Sequence, residues 1–314
     1  MLRWVEVHRL AVAGGEAGVA RNVGRRVGRV WLARSRFADV ARLAEQTLSL
    51  GPDPGALYAL GWARRATGLP RESLAAYEQA LSLYRAGHAR GNEAATLNNI
   101  GAVYHGLGDL QQALDYYRQA LPITREVGDR AGEAATLNNI GLVYDGLGDR
   151  RQALDYYQQA LPIRQQVDDR AGEAATLNNI GLVYHGLGDR QQALDYYRQA
   201  LPIFQEVGDR AGEATTLNNI GGVYDGLGDR QQALTYYQQS LPIRQQVGDR
   251  AGEATTRFTI AMAHRDRGDL DQAIEELERV VDLDRQVDHP DLQSDTAVLK
   301  QLREEHARSE PPPP

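Results

Sequence analysis

The 314-residue chain contains no cysteine. Structural disulfides, cysteine nucleophiles and thiolate metal sites are therefore excluded, and the composition fits a reducing compartment. Lysine is almost absent: Lys300 stands alone, so nearly all positive charge is carried by arginine. No run of about 18 apolar residues exists, and Glu6 and His8 interrupt the amino-terminal stretch where a signal peptide needs an unbroken apolar core. A cytoplasmic protein is expected. Catalytic signatures are missing as well: there is no GxxxxGK(S/T), no GxGxxG at a strand-to-helix turn, no HExxH and no GxSxG. The seven histidines show no short metal-ligand spacing. The expectation is a protein that is not an enzyme, with no cofactor and no metal.

What is present is ordinary for a chain with a buried core, 42% hydrophobic and 25% charged residues. The net charge of −7 is unevenly spread. Residues 1–36 hold eight arginines against Glu6 and Glu16, whereas 265–314 hold fourteen acids against seven bases. Either the basic head pairs with the acidic tail between molecules, or the head binds anions, or both ends are simply solvated helices.

The dominant feature is self-similarity at a period of 40 residues, which makes the repeat the unit of structure. Copies begin at Ala94, Ala134, Ala174 and Ala214, with degenerate copies before and after; 134–173 and 174–213 differ at only six positions, which points to late duplication. Each copy reads as two helices. In the first, Leu97, Ile100, Gly101 and Tyr104 form one apolar stripe on a 3.6-residue period. The segment GLGD ends it: Gly108 suits the left-handed conformation past a helix end, and Asp109 with Gln112 resembles a capping box for the second helix. Ala113, Leu114, Tyr117, Ala120 and Leu121 then mark one face of that helix, and a turn at Gly128 and Asp129 starts the next copy.

Gly101, Gly141, Gly181 and Gly221 lie inside a helix, each at a cost of about 1 kcal/mol relative to alanine, which is reasonable where a neighbouring helix crosses closely. Pro122, Pro162, Pro202 and Pro242 lie well inside the second helices and predict a bend.

The order Leu97, Ile100–Gly101, Tyr104, Ala113 and Tyr117 resembles the tetratricopeptide repeat pattern of a large residue, Leu-Gly, Tyr, Ala and an aromatic. Gly28, Trp31, Val40, Ala44 and Pro52 fit an earlier unit of ordinary 34-residue length. About seven units are expected, at 21–53, 54–93, 94–133, 134–173, 174–213, 214–253 and 254–293. Residues 1–20 form a leader with room for a capping helix, and 294–314 hold the rest of a closing helix from Leu292 to Arg308 and a disordered proline tail. The resemblance implies an all-α, right-handed superhelix of helix-turn-helix units whose first helices line a concave groove. The 40-residue form resembles the repeats of kinesin light chains, of Pins-type spindle adaptors, and of bacterial arrays attached to signalling NTPases or caspase-like proteases.

The recurrent ATLNNIG raises the question of why a helix keeps two asparagines that each cost roughly 0.5 kcal/mol in propensity. On a helical wheel Ala95, Asn98, Ala102 and His105 form a second stripe with Asn99 at its edge, and this stripe faces the groove. The Ala102 position is Leu142 and Leu182 in the next units, and the His105 position runs His105, Asp145, His185, Asp225. A carboxamide has donors and an acceptor, so it suits the backbone of an extended peptide. Asparagines at corresponding places in kinesin light chain and Pins-type repeats hold peptide backbones, which is what the resemblance implies for Asn99, Asn139, Asn179 and Asn219. Asn98, Asn138, Asn178 and Asn218 serve either the groove or bonds between neighbouring first helices. Arg118, Gln158, Arg198 and Gln238 alternate in step with His/Asp, as do Glu126, Gln166, Glu206 and Gln246, so a two-unit block was duplicated. The His/Asp order is either a ladder across the groove or inherited alternation.

The function expected is a scaffold that binds a protein or peptide in its groove, with no nucleic acid or membrane partner. Two alternatives stay open: a sensor or regulatory subunit acting with an NTPase or caspase-like effector on another chain, and a self-assembling rod formed head to tail.

Overall fold

A computed structural model describes residues 2–287 and 289–309. All regular structure among the described residues is helical. The chain divides after Val167 into two compact units. The first holds α1 (Leu2–Ala13), α2 (Ala17–Leu32), α3 (Phe37–Leu48), α4 (Pro54–Ala66), α5 (Pro70–Ala86), α6 (Arg90–Gly106), α7 (Leu110–Glu126), α8 (Arg130–Gly146) and α9 (Arg150–Gln166). The second holds α10 (Arg170–Leu187), α11 (Arg190–Val207), α12 (Arg210–Gly226), α13 (Arg230–Val247), α14 (Arg250–Asp266), α15 (Leu270–Val287) and α16 (Leu292–Ser309). From α2 onward the helices form hairpins, α2/α3 through α14/α15, and each hairpin packs its second helix on the first helix of the next within its unit.

Short turns set these boundaries. Gly108 takes φ +79 and Gly128 φ +70, the left-handed conformation that ends a helix at least cost with glycine. Asp109 then accepts from the Gln112 amide at 3.2 Å and Asp129 from the Gly132 amide at 2.9 Å, each satisfying an otherwise orphaned N–H. Because Asp129 is the cap, the repeated first helices start at Arg130 and its equivalents, four residues ahead of the repeat boundaries read from the sequence. The first hairpin likewise opens at Ala17. The expected proline tail lies outside the described residues.

The apolar stripes do what their period predicts. Ala113, Leu114 and Tyr117 of α7 bury themselves against Ile140 and Val143 of α8, and Tyr104 and Tyr116 stack with ring centroids 5.5 Å apart. The in-helix glycines mark close crossings: a Cβ on Gly101 would lie 2.7 Å from the Tyr117 ring, on Gly181 2.7 Å from Tyr197, and on Gly221 2.6 Å from Tyr237. α7, α9, α11 and α13 run on through Pro122, Pro162, Pro202 and Pro242. The residues four earlier, Arg118, Gln158, Arg198 and Gln238, are exposed, so water can take the carbonyl bond that proline cannot supply.

Candidate functional site: the asparagine face of the first helices

The first helices turn their Leu97-type stripe inward and leave the asparagine stripe half-buried, with Asn138 the one member of the eight that is buried. Neighbouring first helices come close enough here for the amides to meet. Asn139 donates through Nδ2 to Oδ1 of Asn98 at a long 3.4 Å, and Asn219 donates to Asn178 at 3.2 Å. The hydroxyl of Thr216 also lies 3.1 Å from Asn178 Oδ1, its single proton shared with the Gly212 carbonyl. Thr256 repeats the pattern on Asn218 at 3.2 Å. Asn99, in the first of the regular units, uses its Nδ2 on the Tyr58 hydroxyl at 2.7 Å and the Ala95 carbonyl at 3.0 Å. Asn138 and Asn179 are engaged as well. The structure thus brings members of the two asparagine sets together across consecutive repeats, and part of their bonding capacity is directed along the array.

An asymmetry follows. Asn178 is an acceptor for two neighbours, whereas Asn219 contributes one donor and carries the propensity cost of roughly 0.5 kcal/mol. Asn219→Ala should therefore change stability by less than about 0.5 kcal/mol, while Asn178→Ala strands the Asn219 amide and should cost about 1 kcal/mol. Thermal melting of the two single variants checks the order; equal shifts would mean that the ladder is not directional.

Beside the amides, Leu142 is half-buried and Leu182 is 42% exposed. His105, Asp145 and His185 are half-buried and Asp225 is exposed. Burial raises the Asp145 carboxyl above the usual carboxylate range, opposed by Arg150. Burial lowers His185, and Arg190 lowers it further. Among the described residues no group of three or more His, Asp or Glu is placed to hold a metal ion.

The two-unit alternation does have a physical counterpart. Arg90 pairs with Glu126 at 2.7 Å and Arg170 with Glu206 at 2.9 Å, but Arg130 meets Gln166 at 3.3 Å and Arg210 meets Gln246 at 3.4 Å through neutral amides. Arg118 donates to the Tyr144 hydroxyl at 2.9 Å and Arg198 to that of Tyr224 at 2.9 Å.

Sequence reasoning missed one recurrent element, the buried glutamates Glu93, Glu133, Glu173 and Glu213. Each bonds the arginine three residues earlier; Glu93 binds Arg90 at 2.6 Å and Arg85 of the preceding helix at 2.9 Å, and Glu133 binds Arg130 and Arg125. The signal was the constant i,i+3 spacing of arginine and glutamate, in ARGNE for Glu93 and in DRAGE for the later copies.

A tetratricopeptide repeat family model matches residues 92–166, 161–206, 172–246 and 212–286, and a second tetratricopeptide repeat model matches 54–86. The chain belongs to the tetratricopeptide repeat family. A signal-transduction ATPase with a tetratricopeptide repeat sensor from Pyrococcus horikoshii is similar in fold, with a TM-score of 0.74 at 15% identity over 99% of this chain and 47% of that one. The chain spans about half the length of that ATPase. The apo form of RapI is similar with a TM-score of 0.66 at 18% identity, over 85% of this chain and 98% of that one. A Rap protein complexed with competence and sporulation factor gives 0.64 at 14% identity, over 98% and 99%. At these identities the likeness is one of fold. No curated protein sequence matches the chain.

Proposed function

We propose that the asparagine face of the first helices binds an extended or flexible segment of a protein partner, and that the chain is a scaffold rather than an enzyme. The observation that carries this is Leu182: a large apolar side chain in mid-helix, 42% exposed, on the same face as half-buried Asn179 and His185, three residues away on either side. Apolar exposure between oriented amides provides both halves of peptide recognition, area to bury and groups to bond a backbone. In this reading Asn139 and Asn219 are held in place by the ladder, and Leu142 and Leu182 supply contact area. A neighbour in fold, a Rap protein, is complexed with competence and sporulation factor, which supports a binding role for such an array by analogy of fold alone. The absence of cysteine and of any described helix long and apolar enough to cross a membrane is compatible with work in the cytoplasm.

Selection from a random-peptide display library tests the proposal. Enriched peptides should bind the folded chain with micromolar or tighter Kd, and a library that yields no binder in repeated rounds would contradict it. The sensor-bearing ATPase among the fold neighbours favours a second reading, in which the array serves as the recognition part of a signalling system whose effector is on another chain. Co-purification of an NTPase or protease that depends on Leu182 would support that version over a free scaffold.

A further inference from the structure

In five consecutive hairpins the in-helix glycine is covered by a tyrosine of the second helix: Gly61 by Tyr77, Gly101 by Tyr117, Gly141 by Tyr157, Gly181 by Tyr197 and Gly221 by Tyr237. The first hairpin breaks this rule. Gly28 of α2 occupies the glycine position, the partner sixteen residues on is Ala44 of α3, and nothing lies within 4 Å of where a Cβ on Gly28 would sit. Where the tyrosine is missing there is a cavity of about 700 Å³, floored by α3 between α2 and α4. Its two walls differ in chemistry. On the α2 side Arg21, Arg25 and Arg29 follow one another at one-turn spacing; on the α4 side stand Tyr58 and Trp62, the latter 43% exposed. Arg21 Nε is buried without a hydrogen bond, its nearest carboxylate being Asp53 at 3.6 Å, and among the described residues Arg25 and Arg29 carry no ion pair. Three of the eight arginines of the basic head thus line one built cleft.

We infer that this cleft binds an extended acidic peptide in which acids alternate with apolar residues. Residues i and i+4 of a helix are separated by about 6 Å along its axis. Residues i and i+2 of an extended chain are separated by about 6.6 Å and point to the same side, while the residue between them points to the other. A segment lying along α2 therefore sets alternate carboxylates against Arg25 and Arg29, where guanidinium forks bind carboxylate in bidentate fashion. The intervening apolar side chains face Trp62 and Tyr58 and fill the space that a tyrosine at position 44 would take. A volume of this size accommodates a few side chains, not a folded domain. The inference rests on the reading of the first-helix face as a binding surface, and adds a charged site on α2, the first helix of the first hairpin.

The test uses the full chain and a fluorescein-labelled heptapeptide of alternating glutamate and leucine, with a lysine-for-glutamate version as the control. The acidic peptide should bind and the basic one should not, and affinity should fall at least tenfold between about 0.05 and 0.5 M salt as the charges are screened. Ala44→Tyr should restore the pattern of the other hairpins, leave melting unchanged or higher, and weaken binding at least tenfold. Arg25→Glu with Arg29→Glu, both exposed positions, should abolish it without loss of fold. Equal binding of the two peptides, or full affinity in a folded Ala44→Tyr variant together with full affinity in the arginine variant, would overturn the inference. Displacement of the peptide by adenosine monophosphate at lower concentration than by unlabelled peptide would assign the cleft to a small anion instead and equally overturn it. A library-selected peptide that still binds the Ala44→Tyr variant but not a Leu182→Asp variant would leave the proposed function standing while this charged site fails.

Discussion

Gly141→Leu is expected to lower the melting midpoint by roughly 6 °C or more, the largest effect of any single change considered. A Cβ on Gly141 would lie 2.5 Å from the Tyr157 ring, which is fully buried and cannot swing out. Overpacking typically costs about 1–3 kcal/mol and occasionally more; leucine extends well beyond the Cβ, so about 4 kcal/mol is expected here. The gain in helix propensity, at most about 1 kcal/mol, does not offset it. A net loss near 3 kcal/mol corresponds to that midpoint shift when the compact unit that ends at Val167 melts as one cooperative unit. Gly141→Leu combined with Tyr157→Ala should recover much of it, because the obstructing ring is gone. Gly228→Ala provides the contrast: a Cβ there meets nothing within 4 Å, but φ is +81, so the cost is one of backbone strain, about 1 kcal/mol, with no rescue by any partner. Circular-dichroism melts of the three variants and the parent check this, and a Gly141→Leu midpoint within a degree of the parent would show that the crossing is not tight.

The second large effect concerns the buried carboxylates. Burial alone would raise the Glu93 carboxyl, but the hydrogen bonds from Arg85 and Arg90 outweigh it and hold Glu93 below the usual carboxylate value. A depressed folded-state pKa contributes stability above the unfolded value, near pH 4, and that contribution is lost as pH falls through the folded value. Arg85→Ala with Arg90→Ala leaves the charge buried and unpaired, which costs about 3 kcal/mol, at the lower end for a broken buried pair because both guanidiniums reach water. At neutral pH the double variant should melt well below the parent, and the gap should narrow as pH falls, first through the raised carboxyl pKa of the variant, where burial acts unopposed, and then towards the depressed one of the parent. Glu93→Gln in the double-variant background should recover most of the loss. A gap that is the same at pH 3.5 and pH 7 would contradict the assignment.

The two effects differ in how far the sequence disclosed them. The glycine crossings could be read beforehand because a helix period places Gly101 among Leu97, Ile100 and Tyr104, and only a close neighbour justifies glycine on an apolar stripe. The identity of that neighbour, Tyr117, needed the hairpin geometry. Helix pairing, the cap at Asp109 and the turns at Gly108 and Gly128 were legible for the same reason, since each depends on residues within a few positions of one another; Asp129 was legible as a turn residue but not as the cap it forms. The asparagine ladder was not, because whether Asn139 reaches Asn98 or a ligand depends on the separation of two helices 41 residues apart in the chain. The void at Ala44 was hidden in another way: alanine satisfies the repeat pattern as a small apolar residue, and its consequence appears only beside the five hairpins that carry tyrosine. The Arg90–Glu93 pairs were in plain view as i,i+3 charges, but burial of the glutamate is what separates them from solvated surface pairs.

The central claim, that the exposed face of the first helices is the binding surface, is tested most directly by Leu182→Asp, with affinity for a library-selected peptide and melting measured on the same preparation. Leu182 is already largely in water, so the charge should leave the midpoint within about 2 °C of the parent. The account predicts at least a tenfold loss of affinity, about 1.4 kcal/mol, from removing apolar contact and placing a carboxylate against the bound segment. A variant that melts like the parent and binds the peptide with unchanged Kd would contradict it.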